Sequence, residues 1–543
     1  MGFANIPYFG QFGSHLNKSM MLWRTSPGYT LQLILSSINY WGFLLVFILF
    51  LLGFLFALKK IFLSYSAQIA LSSKQKGQRF LIFLFIAFVL VALARGRLSS
   101  KSTMHEGMAI VSQNAFMNHI ALNPVFTMIK SLQRKEGNTA YLENIGRDLQ
   151  VCKAYYDGNF FPPDGVLAEP IVAVNGSDSI KKLNVILVLM ESMTMAKMGY
   201  YGNKNMSPFL LELSKESVFF DRFFSSGIHT FNGLFSSATG FPSIYAEQGL
   251  RQYTKQPFVT LASLLKPFGY RTYFCTTHDP VFDNMEGFFK LNGYDEFISD
   301  HDFDNSQSLG VTGVPDHVLY LKLVESINAR KNAKPFLAMV MTGTDHGPWK
   351  IPSNITFEPK GLNVKENASL YADWSVRQLI NESKKYDWYK NTVFVFLGDH
   401  GQIMNDVYDM PITYHHTPLI IHCPASLAPE VNHNLGTQQD LVKTISSLLG
   451  LSYPNFSFGV NILNEKRSFV SFSADDKLGY VTDDDFFYYQ LLSTKEKRFV
   501  KYKLMDVTDY YQKNRRRADS LFELNMSLYN AAQYYIRENY FNF

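Results

Sequence analysis

The sequence predicts an α/β sandwich, a sheet covered by helices on both faces, that follows a helical transmembrane region. Two observations indicate this fold class. From residue 181 onward, apolar runs of five to seven residues alternate with stretches of helical period, which is the pattern of βαβ units. Before them, two long uncharged segments lie within the first hundred residues, and such segments form membrane-spanning helices.

Composition limits the classes of partner and site. The chain has 543 residues, more than one hydrophobic core usually covers, so at least one division is expected. Its net charge is only +5 and it has no long run of Lys or Arg, so no nucleic acid partner is expected. The three cysteines, Cys152, Cys275 and Cys423, fit neither a disulfide framework nor a CxxC site. Any metal would therefore have oxygen and nitrogen ligands.

The membrane region contains two predicted transmembrane helices. Residues 40–58 carry no charge over nineteen positions, which nearly spans a hydrocarbon core of about 30 Å. Residues 80–94 form a shorter apolar run whose flanking arginines, Arg79 and Arg95, can extend to the interfaces. The connector holds five basic residues, and the positive-inside rule places it in the cytoplasm. Everything after Arg95 is then expected outside.

Four regions are predicted along the chain, divided where the composition changes. The second is expected to be helical between residues 114 and 134, and the fourth to contain an aromatic stretch and a basic helical tail. The regions are a membrane region at 1–98, a juxtamembrane helical linker at 99–180, an extracytoplasmic catalytic α/β domain at 181–465, and a C-terminal subdomain and tail at 466–543.

Six apolar runs are the predicted strands of the catalytic domain. Most of them show no alternation of polar and apolar residues, so both faces are expected to be buried, as in a parallel sheet between helices. The runs are residues 184–190, 218–224, 271–275, 335–341, 392–397 and 418–422.

Polar side chains follow five of these runs. In open α/β sheets, ligands bind just beyond the carboxyl ends of the strands. The residues that follow the runs are Glu191; Ser225, Ser226, His229 and Thr230; His278 and Asp279; Thr344, Asp345 and His346; and Asp399 and His400. Because the five strand ends deliver carboxylates, imidazoles and hydroxyls to one edge of one sheet, the sequence predicts a site there.

Each residue alone also has a structural interpretation. A glutamate such as Glu191 can cap a helix, the GDHG segment at 398–401 can be a tight turn, and the histidines can be hydrogen-bonded within the core. Their convergence favours ligands. Two carboxylates and an imidazole suit Mn²⁺ or Zn²⁺, and Mg²⁺ less well. Such an ion would activate the Thr230 hydroxyl as a nucleophile, and a helix beginning at Thr230 would bind phosphate at its N-terminus.

Eight segments occur in a characteristic order along the chain: NVILVLMES at 184–192, SSGIHTFNG at 225–233, FGYRTYFCTTHD at 268–279, NGYDEF at 292–297, GVPDH at 313–317, TGTDHGPW at 342–349, FLGDHG at 396–401 and HTPLIIHCP at 416–424. Taken as an ordered set, they resemble the lipoteichoic acid synthase family, the phosphoglycerol transferase branch of the alkaline phosphatase/sulfatase superfamily. The resemblance implies a sulfatase/alkaline-phosphatase-like fold with a mixed sheet sandwiched by helices.

The resemblance also implies roles for individual residues. Glu191, Thr230, Asp399 and His400 would bind the metal, and Thr230 would carry a covalent phosphoglycerol. The donor would be a membrane phospholipid such as phosphatidylglycerol, and the acceptor a glycerol-phosphate polymer, a glucan or a lipid. Relatives are anchored through several helices, which implies a multi-pass protein of the bacterial inner membrane.

Two further expectations concern the substrate and a second ion. By the resemblance, His278, Asp279, Asn284 and His346 would bind substrate. Synthases of known substrate carry Trp and Arg shortly after the histidine that corresponds to His278, whereas this chain has VFDNMEG at 281–287, which leaves the headgroup open. Related phosphoethanolamine transferases and phosphatases hold a second metal near the position of His416. A second ion on His346 and His416 is therefore expected when metal is abundant.

Three alternatives remain at this stage. A sulfatase of the same fold needs Cys or Ser in a C/S-x-P-x-R setting, but the sequence at 229–233 is HTFNG. A phosphoethanolamine transferase would share the metal chemistry and differ in its headgroup pocket. A binding or regulatory protein without catalysis would be free to lose one of the site residues, yet all are present.

Overall fold

The structure, a computed structural model, describes residues 5–6, 38–65, 73–95, 123–133, 143–156 and 180–537, the last range with short gaps at 245–246, 253–256, 281, 311, 330–333, 354, 405, 452–456, 475–476 and 492–494. These residues divide into two compact units, 1–139 and 140–543. Most of the predicted linker, including its Pro/Gly-rich section at 157–176, lies outside the described residues.

Three helices form the described part of the first unit: α1 (Ile38–Tyr65), α2 (Ser73–Arg95) and α3 (Pro124–Gln133). Within the part of the chain that the structure describes, one segment is long and apolar enough to span a membrane, Trp41–Lys60 of α1. It matches the first predicted span. The apolar part of α2, Phe80–Leu90, is shorter, so length and composition support one spanning helix here and do not support the predicted multi-pass arrangement.

A nine-stranded sheet forms the centre of the second unit. Its order is β4-β3-β5-β1-β6-β7-β2-β8, with β9 paired to β2. The strands are β1 (Asn184–Met190), β2 (Val218–Phe224), β3 (Arg271–Thr276), β4 (Glu296–Ile298), β5 (Phe336–Met341), β6 (Thr392–Gly398), β7 (His416–His422), β8 (Glu430–Asn432) and β9 (Gly436–Thr437). Strand β7 is antiparallel to β6 and β2, and the other described pairs are parallel. The sheet is therefore mixed, as the resemblance implied.

Both faces of the sheet are buried, and successive residues of one strand enter different cores. In β1, Val185, Leu187 and Leu189 lie in one apolar cluster, whereas Ile186 and Val188 lie in the other. This alternation explains why the strands are apolar without a polar face, since side chains of successive residues point to opposite sides of the sheet.

Ten helices flank the sheets among the described residues of the second unit. They are α4 (Ile145–Tyr155), α5 (Pro208–Ser214), α6 (Thr230–Thr239), α7 (Gly249–Gln252), α8 (Leu261–Leu265), α9 (Met285–Leu291), α10 (Asp316–Asn328), α11 (Val364–Ser383), α12 (Leu441–Leu448) and α13 (Tyr511–Arg537). Helices α5, α10 and α11 supply buried residues to one face, and α6, α8, α12 and α13 supply the other.

The C-terminal region forms a second, antiparallel sheet. Its strands, in the order they pair, are β10 (Phe469–Ser473), β11 (Lys477–Thr482), β12 (Phe486–Leu491) and β13 (Lys497–Lys501). Residues of this sheet and of α13 share a core with the larger sheet. Helix α4, from the predicted linker, packs on α13, where Asp148 accepts hydrogen bonds from Ser527 Oγ and Asn530 Nδ2, each at 2.7 Å.

Candidate active site

Three buried ligand groups meet where β1 and β6 end. Glu191 follows β1, Asp399 and His400 follow β6, and these strands are adjacent and parallel, with Met190 opposite Gly398. One ligand atom from each of the three residues lies within 4.8 Å of the others. We call Glu191, Asp399 and His400 the acid–histidine cluster. It is the one group of this kind found among the described residues.

Hydrogen bonds fix the orientation of Asp399 and His400. The Oδ1 atom of Asp399 accepts from the backbone N–H of Ser192 at 2.9 Å and of His400 at 2.7 Å. The Nδ1–H of His400 donates to the carbonyl of Gly401 at 2.7 Å. Because a carbonyl only accepts, Nδ1 carries the proton, and Nε2 is the ring nitrogen that faces the carboxylates, 3.4 Å from Asp399 Oδ2 and 3.6 Å from Glu191 Oε1.

The electrostatics of the cluster fit a cation. Burial raises the pKa of Asp399 well above its usual value, and the Glu191 carboxylate raises it further. Burial lowers the pKa of His400, which favours the neutral ring with a lone pair on Nε2. The Oδ2 atom of Asp399 is buried and has no hydrogen-bond partner within the described part of the chain. Acceptors that face one another in a buried space are stabilised by a positive ion, so these residues suit a divalent metal.

Thr230 lies beside this cluster as the first residue of α6. Its Oγ1 donates to Glu191 Oε2 at 3.4 Å. The helix N-terminus carries partial positive charge, which stabilises a developing alkoxide or a phosphate. Helix α6 approaches closely because of Gly233, where an added Cβ would lie 2.3 Å from the backbone oxygen of Asp399. The structure therefore brings together all four residues predicted to bind the metal.

Two further predicted site residues, His278 and His346, lie close enough to the cluster to lower the pKa of Glu191. Burial opposes ionisation of Glu191, but His400, His346, the Ser192 hydroxyl and His278 together lower its pKa. His278 is buried, and desolvation lowers its pKa to about 4, so it is neutral at neutral pH. The side chain of His346 is exposed, and its Nδ1–H donates to Gly347 O at 2.7 Å. The Glu191 carboxylate raises the pKa of His346, although partial desolvation of the ring by neighbouring protein atoms opposes the shift.

The other two predicted substrate residues, Asp279 and Asn284, contact other parts of the protein. Asp279 is exposed, and its carboxylate lies 3.8 Å from His301 Nε2. The amide of Asn284 donates to Leu250 O at 2.7 Å, and its backbone is left-handed, with φ of +61°. Phe282, by contrast, is 49% exposed and stacks on the ring of His278, with 5.5 Å between centroids. The segment after β3 thus presents an exposed apolar ring beside His278.

His416 is not part of the acid–histidine cluster. It is fully buried at the start of β7, where its Nε2–H donates to Asp221 O at 2.8 Å and its Nδ1 accepts from the Tyr201 hydroxyl at 2.7 Å. Burial lowers its pKa to about 3, so the ring stays neutral. Because both nitrogens bond to the protein, the expected second ion on His346 and His416 does not fit this geometry.

Sequence reasoning missed the residues that hold the ligands in place. The Ser192 hydroxyl donates to Glu191 Oε1 at 2.8 Å, and Thr342 Oγ1 accepts from the Glu191 backbone N–H at 2.9 Å. The Gln438 amide donates to the carbonyls of Gly398 and Asp399 at 2.9 and 2.7 Å. Ser192 and Thr342 directly follow strands, which was the available signal, whereas Gln438 is distant in sequence and carried none.

Asp316, at the start of α10, anchors the loop that leads to His346. Its Oδ1 accepts from the N–H groups of Gly343 and Thr344 and from the Thr344 hydroxyl, at 2.8–3.1 Å. Burial raises the pKa of Asp316 from 3.8 to about 6, although these hydrogen bonds oppose the shift. The folded protein therefore binds this proton more tightly than the unfolded chain does.

A pH dependence of stability follows. The contribution of protonated Asp316 is fully present below about pH 4 and is lost as the pH rises to about 6. Asp316→Asn carries no titrating proton, so the unfolding free energy of the variant relative to wild type should rise across this window, by about 3 kcal/mol at most. Thermal midpoints of both proteins in detergent between pH 4 and 7 test this. Parallel profiles would contradict it.

Comparisons with known proteins find similar sequences and folds. Residues 183–451 match the sulfatase family model. Lipoteichoic acid synthase 1 of Bacillus subtilis is 24% identical over 321 residues, which cover 53% of this chain and 49% of that protein. The chain thus spans about half the length of the curated relatives it matches.

Two solved structures share the fold. A protein of the alkaline phosphatase superfamily from Vibrio parahaemolyticus has a TM-score of 0.62 and 23% identity, covering 73% of this chain and 97% of its own. The lipoteichoic acid synthase LtaP from Listeria monocytogenes has a TM-score of 0.58 and 22% identity, covering 71% and 98%. The predicted sulfatase/alkaline-phosphatase-like fold class is confirmed.

Proposed function

We propose that this chain, whose residues 183–451 match the sulfatase family model and which is similar to lipoteichoic acid synthase 1, transfers a phosphoglycerol-type headgroup from an anionic phospholipid to a cell-envelope acceptor through a covalent phosphothreonine at Thr230. One observation carries the proposal: the Thr230 hydroxyl lies at a helix N-terminus, 3.4 Å from Glu191 Oε2, beside the acid–histidine cluster.

In the first half-reaction, Thr230 Oγ1 attacks the phosphorus of the donor. A Thr–O–P bond forms, the P–O bond to diacylglycerol breaks, and the threonine proton passes to Glu191 Oε2, which accepts the hydrogen bond of the Thr230 hydroxyl. His346 is the candidate donor of a proton to the departing diacylglycerol oxygen, because its Nδ1–H is committed to Gly347 and Nε2 is left for the substrate. The N-terminus of α6 binds the phosphoryl oxygens.

In the second half-reaction, a hydroxyl of the acceptor attacks the same phosphorus. The bond to Thr230 breaks, the threonine regains its proton, and the acceptor keeps the headgroup. The acceptor is a glycerol-phosphate polymer, a glucan or a lipid, each of which offers such a hydroxyl. Neutral His346 would accept the proton of that hydroxyl, as required if it acted as the acid in the first step.

The metal that this site suits is Mn²⁺, with Zn²⁺ or Mg²⁺ as substitutes, held by Glu191, Thr230, Asp399 and His400. When bound, a divalent ion lowers the pKa of a hydroxyl and neutralises charge on a phosphoryl oxygen. The fit is supported by the buried Oδ2 of Asp399 and by the orientation of the His400 ring.

We also propose the membrane arrangement that such a reaction needs. Helix α1 anchors the chain in the bacterial inner membrane, and the catalytic unit lies on the extracytoplasmic side of that membrane. Donor lipid and enzyme then share one membrane. The region boundaries given above, at 98, 180 and 465, belong to this proposal.

Mass spectrometry of the Thr230 peptide tests the proposal. The full-length protein in detergent, with Mn²⁺, is incubated with phosphatidylglycerol and phosphatidylethanolamine in separate samples, and then quenched in acid and digested. We expect the mass of phosphoglycerol on Thr230 in the first sample. Diacylglycerol release with an unmodified Thr230 peptide would contradict the covalent route.

Phosphoethanolamine transfer is a second candidate function, and the environment of Phe282 favours it. The ring of Phe282 is exposed beside His278, and an aromatic face attracts an ammonium group. In the same experiment, modification of Thr230 only by phosphatidylethanolamine would replace the phosphoglycerol assignment and keep the rest of the mechanism.

A further inference from the structure

Ser192 links the two carboxylates of the acid–histidine cluster. Its backbone N–H donates to Asp399 Oδ1 at 2.9 Å, and its hydroxyl donates to Glu191 Oε1 at 2.8 Å. Ser192 makes both bonds with its backbone in the left-handed conformation, with φ of +54°. A residue other than glycine keeps such a conformation only where its surroundings over-determine it.

A buried ion pair lies directly behind Ser192. Lys197 Nζ donates to the Ser192 carbonyl and to Asp345 Oδ2, each at 2.8 Å. The side chains of Lys197 and Asp345 are 1% and 4% exposed. The Oδ1 atom of Asp345 accepts from Ser369 Oγ of α11 at 3.1 Å. The carbonyl of Ser192 is thus connected to helix α11 through Lys197 and Asp345.

The segment that carries Lys197 is itself fixed to the sheet. Thr194 Oγ1 donates to the carbonyl of His416 at 3.0 Å. It also accepts from the N–H of Ala196 and so caps the short helical segment Met195–Met198. Because the backbone near Lys197 is held in this way, rotation of the Ser192 peptide would break the hydrogen bond between Lys197 Nζ and the Ser192 carbonyl. Since desolvation offsets much of the attraction in a buried ion pair, stability alone is a weak explanation for one at this position.

We propose that Lys197 and Asp345 are positioning residues: they hold the Ser192 peptide in its left-handed conformation and, through it, keep Glu191 and Asp399 at the spacing that binds the divalent cation. The inference rests on the proposed metal site, but it concerns residues that touch neither the cation nor the substrate. We call Lys197, Asp345 and Ser369 the Ser192 clamp.

Metal affinity tests this inference. The double variant Lys197→Met/Asp345→Asn removes both charges, so neither is left buried and unpaired. Its Kd for Mn²⁺ should rise about 10- to 100-fold, the usual consequence of losing groups that orient metal ligands. The loss of the free Mn²⁺ signal in electron paramagnetic resonance measures Kd for the full-length protein in detergent. At saturating Mn²⁺, turnover should return to within a few fold of wild type.

Two companion variants separate positioning from stability. Ser369→Ala removes only the hydroxyl that donates to Asp345 Oδ1, and it should raise Kd in the same direction by a smaller factor. The control is Asp373→Asn, a buried carboxylate that accepts from the N–H groups of Phe209 and Leu210 at 2.8 Å, away from the cluster. This control should lower the thermal midpoint and leave Kd unchanged.

The outcomes distinguish this inference from the proposed function. If wild type binds Mn²⁺ but Lys197→Met/Asp345→Asn and Ser369→Ala both bind it with unchanged Kd, the Ser192 clamp has no positioning role and the proposed function stands. If wild type itself binds no divalent metal, the proposed metal site fails and this inference fails with it. If Asp373→Asn weakens binding as much as the double variant, general destabilisation explains the effect and the inference is overturned.

Discussion

Replacing Thr230 with alanine should reduce turnover of the lipid donor by about 10³-fold or more, the effect of losing the attacking group of a covalent mechanism. The protein should remain folded, because Thr230 is only partly buried and the change removes one hydroxyl and one methyl group at the start of α6. The measurement is Mn²⁺-dependent release of diacylglycerol from a fluorescent phosphatidylglycerol by the full-length chain in detergent.

Two variants of the same helix serve as controls. Thr230→Ser keeps an attacking hydroxyl and should retain measurable turnover. Thr239→Ala removes a threonine at the other end of α6, where the hydroxyl donates to Phe235 O at 2.8 Å. It should cost about 1 kcal/mol of stability and leave turnover unchanged. If Thr230→Ala kept a tenth of wild-type turnover, the covalent route would be wrong.

Six of the nine strands of the larger sheet could be predicted from sequence because most of their residues are buried, whereas β4, β8 and β9 were not predicted. The runs at 184–190 and 218–224 match β1 and β2 to the residue, and the others agree within two residues. Burial on both faces requires continuous apolar residues, and that signal is local. The position of the candidate site could be predicted from the strands, because the carboxyl ends of parallel strands lie at one edge of the sheet. Glu191, Asp399 and His400 come directly after β1 and β6.

The role of His416 could not be predicted in the same way. An apolar run does not reveal the direction of its strand, and β7 is antiparallel, so the residues before it, not after it, reach the edge that carries the site. His416 starts β7 opposite Phe224 of β2. Both ring nitrogens of His416 form hydrogen bonds with Tyr201 and Asp221, which are more than 190 positions away in sequence. The local sequence around His416 does not reveal these partners.

Two other features depended on distant pairing. The aromatic stretch at 483–490 was expected in a C-terminal subdomain, but nothing local showed that it would form β12 between β11 and β13. Lys197 lies among methionines and alanine, and only the fold brings Asp345 to its ammonium group. Sequence patterns thus predicted the residues that meet in the acid–histidine cluster, whereas the residues that hydrogen-bond to them became visible only in three dimensions.

Asp399→Asn should abolish the metal-dependent part of stability together with turnover. Asparagine can keep Oδ1 as the acceptor for the N–H groups of Ser192 and His400, so the fold is retained. It replaces Oδ2 with an amide nitrogen, which cannot bind a cation. The Kd for Mn²⁺ should rise by more than the roughly 10- to 100-fold typical of residues behind the ligands, and thermal midpoints with and without Mn²⁺ should coincide.

Without metal, the same variant should be at least as stable as wild type. Burial and the Glu191 carboxylate both raise the pKa of Asp399, so removing this charge relieves a repulsion that only a cation otherwise offsets. In EDTA the variant should therefore melt no lower than wild type, and at Mn²⁺ concentrations about 100 times the wild-type Kd the wild type alone should gain about 2.7 kcal/mol. If Asp399→Asn melted lower in EDTA, or still gained stability from Mn²⁺, the carboxylate would have a structural role and the cation would lie elsewhere.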